Sequence, residues 1–277
     1  MLIFSIIIGF RSLSVGADTF AFANLYEHLQ HHKYSGYPEP IYAFLNIFAG
    51  QIGLTYQGFL YLVALLYCLF LTKAITMASP RPGYTIFCLY GLYMMFYAMN
   101  ISRQMLAVSV VFLAYIYLSR KQTWKFVITV LIASQIHSSA IIALAAYFIP
   151  KIQLTKKRVT TYILITFALG FLLSDGMFMS IVDKIGGDYA DYLHDTSTRN
   201  GFRSGERILL GVLLALFWNS LFIIIFNCIK RKWKDSLWLK IYFVAILLIN
   251  LTMRMELGIR IVLYFRIIEP IIFTIFM

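Results

Sequence analysis

The sequence has 277 residues, of which 61% are hydrophobic and 13% are charged. A soluble domain carries about 25% charged residues, so this composition excludes an ordinary soluble protein and predicts a polytopic membrane protein. The formal net charge of +12 does not by itself indicate nucleic acid, and we expect no such partner. Basic cytoplasmic loops give a membrane protein the same excess of positive charge.

Apolar runs separated by basic clusters predict an all-α polytopic integral membrane protein with about 9–10 transmembrane helices, because a helix needs about 20 residues to cross a bilayer. The basic clusters are assigned to the cytoplasmic side, and this assignment orients the runs. In chain order, the predicted spans lie near residues 57–72, 82–102, 104–119, 126–136, 138–149, 159–174, 207–229, 241–253 and 259–277.

The charge-free stretch 40–72 is predicted to cross the membrane once. Two crossings would place Lys73 on the outer side, against the tendency of lysine to lie in the cytoplasm. We therefore assign the span to 57–72 and expect Pro40–Gly53 to form a re-entrant or interfacial helix on the outer face.

The chain 1–277 is predicted to be a single transmembrane domain with outer-face segments 10–56 and 175–207. We also expect a form shortened at both ends, because Met1–Gly9 is too short to span and the last run ends at Met277.

The three cysteines lie in apolar runs and are predicted to be small core residues rather than disulfide partners or metal ligands. They are Cys68, Cys88 and Cys228. No metal and no cofactor is expected.

Arginine and lysine divide between the two predicted sides of the membrane. Ten of the twelve lysines fall on the cytoplasmic side, whereas eight of the twelve arginines fall on the outer side. The positive-inside rule explains the lysines but not the outer arginines. Since the planar guanidinium binds phosphate or carboxylate through two parallel hydrogen bonds, the outer arginines indicate an anionic substrate.

Arg103 is the central candidate of this set. With Gln104 it forms part of a short polar stretch, Asn100–Gln104, between two charge-free apolar runs. An arginine at membrane depth costs several kcal/mol unless its charge is used, so such a residue is a functional candidate. The alternative is that its side chain extends to the outer interface.

His137 and Asp18 are the predicted catalytic residues. His137 is the only acidic, basic or histidine residue between Lys125 and Lys151, and the two runs beside it are short for spanning helices. A break at membrane depth with a titratable imidazole suits a general base or a phosphate contact, although a hydrogen-bonded core histidine is the alternative. Asp18 follows Arg11 closely and is the other candidate base.

Glu39 is a further candidate, because it immediately precedes an apolar helix that begins with proline. The predicted substrate-binding residues are Arg11, Arg103, Gln104, Arg203, Arg260, Arg266 and Glu39.

Five short motifs in order along the chain resemble the EpsG family, bacterial exopolysaccharide proteins akin to Wzy-type O-antigen and capsule polymerases. The motifs are Arg11-x6-Asp18, Tyr37-Pro-Glu39-Pro-Ile-Tyr42, Asn100-x-x-Arg103-Gln104, Ile136-His137-x-Ser139 and Arg260-x3-Tyr264-Phe265.

The resemblance implies a glycosyltransferase of the bacterial cytoplasmic (inner) membrane. Such an enzyme transfers a growing glycan, carried on undecaprenyl diphosphate, to a new lipid-linked repeat unit at the outer face. We expect the transfer to be metal-independent, with cations stabilising the diphosphate leaving group. The expected partners are the lipid-linked oligosaccharide, the bilayer and a chain-length regulator.

Two alternatives stay open from the residues. A membrane acyltransferase that modifies surface glycans would also use a histidine and arginines, but its basic residues would be essential on the cytoplasmic side. A transporter or flippase of lipid-linked sugars should show paired or inverted repeats, and the sequence has none.

Overall fold

The structure is a computed structural model that describes residues 1–16, 18–32, 39–172, 205–255 and 258–277. These residues form α-helices and two 3-10 helices, with no strand among them, and this confirms the predicted all-α class. They divide into two compact units. The first comprises residues 1–148 with 267–275 and 277, and the second comprises 149–266 with 276.

The first unit contains the helices that carry most of the candidate residues. They are α1 (Leu2–Gly9), α2 (Thr19–His32), α3 (Pro40–Gln51), α4 (Tyr56–Ala78), α5 (Pro82–Gly91), α6 (Met94–Asn100), α7 (Ser102–Ser119) and α8 (Thr123–Ile136). A 3-10 helix, Ser138–Lys151, follows α8. At the end of the chain, α13 (Glu269–Phe276) contributes all but its last residue to this unit.

Helix α7 is the centre of the first unit. It packs against α4 and α8, and 78% of its residues are buried. Helix α3 packs against α2, α4 and α8. Pro40 occupies the first turn of α3, where its missing N–H costs no hydrogen bond. The helix ends before Gly53, whose φ of 78° is easily reached only by glycine.

The second unit contains α9 (Lys156–Leu172), α10 (Gly205–Cys228), α11 (Leu237–Leu251) and α12 (Gly258–Arg266), with a short 3-10 helix at Arg231–Trp233. An amide network joins three of its helices. The Asn219 side chain donates to Asn250 Oδ1 at 2.8 Å, and Asn250 donates to Thr166 Oγ1 at 3.0 Å. Such hydrogen bonds between helices are stabilising where the surroundings are apolar.

By length and composition, three helices of the described residues are able to cross a membrane: Tyr56–Ala78, Ser102–Ser119 and Ile208–Cys228. Three shorter apolar helices, Thr123–Ile136, Ser138–Lys151 and Leu237–Leu251, accompany them. Together with the composition, these helices identify a membrane protein.

Two predicted spans are each divided into two helices. The run 82–102 breaks between α5 and α6, where Tyr93 adopts a left-handed φ of 61°. The run 259–277 breaks between α12 and α13, where Pro270 lies in the first turn of the new helix. Proline cannot donate the hydrogen bond that would continue the preceding helix.

The run 138–149 differs from the prediction in its helix type. A 3-10 helix rises about 2.0 Å per residue, so the 14 residues of Ser138–Lys151 extend about 28 Å, against about 21 Å for an α-helix of equal length. A run that is short for an α-helix therefore nearly reaches the ~30 Å thickness of the hydrocarbon core.

Gly16 fixes the position of the segment that follows α1. Its φ is 90°, and a Cβ atom at this residue would lie 2.5 Å from the Met99 carbonyl oxygen and 3.0 Å from the Asn100 Cα. Gly16 is therefore in direct contact with the chain that leads into Arg103. Only glycine allows both the backbone conformation and the close approach.

We predict that Gly16→Ala lowers the thermal unfolding midpoint in detergent more than Gly53→Ala does. Gly53 shares the positive φ but has no atom within 4 Å of an added Cβ. Left-handed backbone costs about 1–2 kcal/mol for a non-glycine residue, and overpacking adds about 1–3 kcal/mol at Gly16 alone. Gly83→Ala, on the exposed first turn of α5, controls for the added methyl group and should leave the midpoint unchanged or higher. Equal midpoints for the Gly16 and Gly53 variants would contradict the close contact with Met99.

Candidate functional site

Glu39 is the residue that the other groups of the site contact. It is the residue before Pro40 at the start of α3, and only 3% of its surface is exposed. A buried carboxylate is costly unless donors or cations surround it. Three groups from other parts of the first unit satisfy this requirement, namely Arg103, His137 and the backbone of Ser138.

Arg103 supplies the positive charge. It lies in the first turn of α7, and its Nη1 is 2.6 Å from Glu39 Oε2. The guanidinium carbon lies 5.4 Å from the centre of the Phe22 ring and 5.5 Å from that of Tyr42. Aromatic rings at this distance attract a cation through their negative faces, so both rings add to the stabilisation of the charge.

His137 contacts the other oxygen of the same carboxylate. It ends α8 in an extended conformation, and its Nδ1 lies 2.8 Å from Glu39 Oε1. The Ser138 N–H donates to the same oxygen at 2.9 Å. An ionised carboxylate only accepts hydrogen bonds, so the proton of a neutral imidazole belongs on Nδ1. Nε2 is then the basic nitrogen, as a general base requires.

The site therefore combines a cation, an oriented imidazole and a carboxylate that joins them. About a fifth of each of the Arg103 and His137 side chains is exposed, whereas only 4% of the Glu39 side chain is exposed. The two basic groups are thus the accessible ones, and the carboxylate lies behind them. Chemically, the arrangement can bind an anion through Arg103 and remove a proton through His137.

Arg11 is nearby but is engaged by the chain itself. It is buried, and its Nη1 donates to the Ile8 carbonyl at 2.8 Å, while Nε and Nη2 donate to Thr19 Oγ1. Burial lowers the pKa of this guanidinium from its usual value. The Tyr42 hydroxyl lies within electrostatic range of both Arg11 and Glu39. Arg11 thus connects α1, through Ile8, to α2, through Thr19.

Asp18 and Gln104 also belong to the first unit. Asp18 is half-buried just before α2, and its carbonyl oxygen accepts from the Phe22 N–H at 3.0 Å. Gln104 follows Arg103 in the first turn of α7 and is 2% exposed.

The remaining predicted residues belong to the second unit or lie outside the described residues. Arg260 is half-buried in the first turn of α12, and Arg266 is buried in its last turn, with the guanidinium carbon 4.5 Å from the centre of the Trp218 ring. Arg203 lies outside the described residues, as does most of the predicted outer-face segment 175–207.

Sequence reasoning selected Arg103, His137 and Glu39 separately but did not predict that Glu39 joins the other two. The sequence did contain a signal for this contact, because Glu39 is the only acidic residue between Glu27 and Asp175. No other carboxylate in that stretch is able to neutralise Arg103. The aromatic contacts of Phe22 and Tyr42 with Arg103 were also missed, and nothing in their spacing indicates them.

Comparison with known proteins agrees with the resemblance seen in the motifs. The model of the EpsG family matches residues 1–277, the whole chain. No curated protein and no solved structure matches it. The match covers every residue of the site. The chain therefore belongs to the EpsG family, a family of Wzy-type polysaccharide polymerases.

Proposed function

We propose that this protein polymerises a bacterial surface polysaccharide, an O-antigen, a capsule or an exopolysaccharide, from repeat units carried on undecaprenyl diphosphate. The reaction would occur at the outer face of the cytoplasmic membrane. Membership of the family supports the polymerase role. The observation that carries the chemistry is the contact of one buried carboxylate, Glu39, with both Arg103 and His137.

Arg103 binds the diphosphate of the donor in this proposal. When the bond between the sugar and the diphosphate breaks, negative charge develops on the leaving oxygen. A guanidinium aimed at that oxygen stabilises the charge without reorganising, because its position is already fixed by Glu39 and by the rings of Phe22 and Tyr42. Its five N–H donors allow one group to contact a carboxylate and a phosphate together.

His137 removes the proton of the acceptor hydroxyl in this proposal. The acceptor oxygen forms a bond to the anomeric carbon, the bond from that carbon to the diphosphate oxygen breaks, and the proton passes to His137 Nε2. The products are a glycan longer by one transfer and free undecaprenyl diphosphate. One displacement of this kind inverts the anomeric configuration.

Glu39 positions both groups and need not touch the sugar. Its contact with Nδ1 sets the tautomer of His137 and stabilises the imidazolium that forms during the reaction. Its contact with Arg103 keeps the guanidinium in place before the donor arrives. This role differs from the substrate contact expected from the sequence.

The other predicted residues are retained as proposals. Asp18 is the alternative base, and Arg11, Gln104, Arg203, Arg260 and Arg266 are proposed substrate contacts. A chain-length regulator remains a proposed partner. For Arg260, the supporting observation is its half-buried position in the first turn of α12.

The direct test is to supply the purified, reconstituted protein with a synthetic repeat unit on undecaprenyl diphosphate. A ladder of longer lipid-linked glycans supports the proposal. Acylated product would instead indicate an acyltransferase, and unchanged glycan moved across the vesicle membrane would indicate a transporter. Either of these results contradicts the proposal.

Arg103→Ala should reduce the rate of ladder formation by about 10²–10³, the usual cost of removing one donor that stabilises a developing anion. Arg103→Lys should recover part of the rate, because it restores the charge but not the planar fork. Arg81→Ala is the matched control, since Arg81 is exposed at the start of α5 and its side chain does not cap that helix. Normal glycan length and yield for Arg103→Ala would remove Arg103 from the mechanism.

His137→Ala should slow polymerisation by about 10²–10⁴, the usual contribution of a general base. Glu39→Gln should slow it as well, because an amide can donate to Nδ1 and so stabilise the wrong tautomer of His137. The loss in the double variant should be smaller than the two single losses combined, since the part of the Glu39 effect that acts through His137 is already lost in His137→Ala, while the part that acts through Arg103 remains. His31→Ala, an exposed histidine on α2, is the control. Full additivity of the two losses would show that Glu39 does not work through His137.

A further inference from the structure

The second unit contains a cavity of about 440 Å³ that the polymerase chemistry does not use. It lies between the connection that precedes α9 and the facing sides of α9 and α11. Its lining combines charged, polar and apolar side chains. The residues that matter here are Lys151, Gln153, Arg158, Tyr162, Phe243 and Leu247.

One part of the cavity is strongly basic. Lys151 and Arg158 both line it, and Gln153 Oε1 accepts a hydrogen bond from Arg158 Nη1 at 2.7 Å. This bond holds the guanidinium at the edge of the cavity. No acidic residue occurs between Glu39 and Asp175, so this segment carries no negative charge of its own.

A buried lysine holds the basic segment in place. Lys240 Nζ donates to the Pro150 carbonyl at 3.0 Å, directly before Lys151, and it also lies 2.7 Å from Asp235 Oδ1. Asp235 is thus paired with Lys240. The backbone directly before Lys151 is thus held in place, and Lys151 and Arg158 both line the cavity.

The remaining part of the cavity is apolar. Phe243 is buried and Leu247 is half-buried, one turn apart on α11, and the Tyr162 ring lies 6.4 Å from that of Phe243. Beyond Tyr162, α9 exposes Ile165 and Leu169 on the same face, three and seven residues further along the helix. An apolar surface that continues from a basic edge fits a molecule with an anionic head and an alkyl chain.

We propose that this cavity binds an anionic phospholipid, with the phosphate between Lys151 and Arg158 and an acyl chain against Tyr162, Phe243 and Leu247. Basic pockets between helices of membrane proteins bind such headgroups. Lys151 and Arg158 are among the basic residues predicted to lie on the cytoplasmic side, where anionic lipid is accessible. The proposal is independent of the polymerase site, since it uses none of the same residues.

The test is lipid retention by the full chain, purified in mild detergent and mixed with phosphatidylglycerol and phosphatidylcholine of identical acyl chains. Native mass spectrometry counts each bound lipid. Wild type should retain phosphatidylglycerol about tenfold or more over phosphatidylcholine, because each basic residue near an anionic headgroup contributes about fivefold. Lys151→Gln/Arg158→Gln should abolish this preference. Lys156→Gln/Lys157→Gln is the matched control, since it removes two charges from the same segment without touching the cavity.

A second variant tests the apolar part of the cavity without changing the net charge. Leu247→Trp should fill the apolar part of the cavity and lower phosphatidylglycerol retention at unchanged net charge, with helical content checked by circular dichroism. Unchanged retention in this variant, or equal losses in the two double variants, would overturn the proposal. Full displacement of the lipid by inorganic phosphate would also overturn it, because the site would then be for the free anion.

Discussion

The Glu39 carboxylate neutralises Arg103 in the first unit, and the arrangement of the site depends on that pairing. A guanidinium among membrane helices is tolerated only with a counter-charge or a polar surface, and here the counter-charge comes from the start of another helix. The same carboxylate orients His137. One carboxylate therefore stabilises the buried guanidinium and also orients the imidazole of the proposed base. A single acidic residue is enough for both tasks.

The three groups are positioned by helix ends rather than by helix faces. Glu39 precedes α3, Arg103 follows the break between α6 and α7, and His137 separates α8 from the 3-10 helix. At such breaks, backbone N–H groups lack partners within their own helix and become available to anions, as the Ser138 N–H is to Glu39. The positive φ of Gly16 serves the same arrangement, because it brings the preceding segment against Met99 and Asn100.

Much of the fold follows from local pattern. The uninterrupted apolar runs predicted both ends of α7 and the start of α4 to within two residues, and Pro40 marked the start of α3. The end of α4 was predicted at residue 72, at the first charge, whereas the helix continues through Lys73 to Ala78. The break at Tyr93 has no local signal, since a non-glycine residue in a left-handed conformation is set by the surrounding packing. The second break had a signal in Pro270, but the apolar run around it concealed the change of helix.

The site was predictable as a set of residues and not as a geometry. Arg103 and His137 were selected because each is an isolated polar residue in an apolar sequence. A polar group at membrane depth is costly, so its presence indicates a function. The contact between Glu39 and His137 joins residues 98 positions apart, and it depends on the packing of α3 against α8. Pattern along the chain contains no information on that packing. Charge balance gives a partial signal, since Glu39 is the only acidic residue between Glu27 and Asp175.

The order of the paired residues along the chain has a consequence for biosynthesis. Glu39 leaves the ribosome before Arg103, so a partner is already present when the helix that begins with Ser102 enters the bilayer. Inserting a lone arginine costs about 2.5–3.5 kcal/mol at the centre of a membrane helix on translocon scales, and less near a helix end, where Arg103 lies. A ribosome-bound intermediate that lacks the carboxylate would carry this cost throughout translation, and the pairing thus assists membrane integration as well as the mature site.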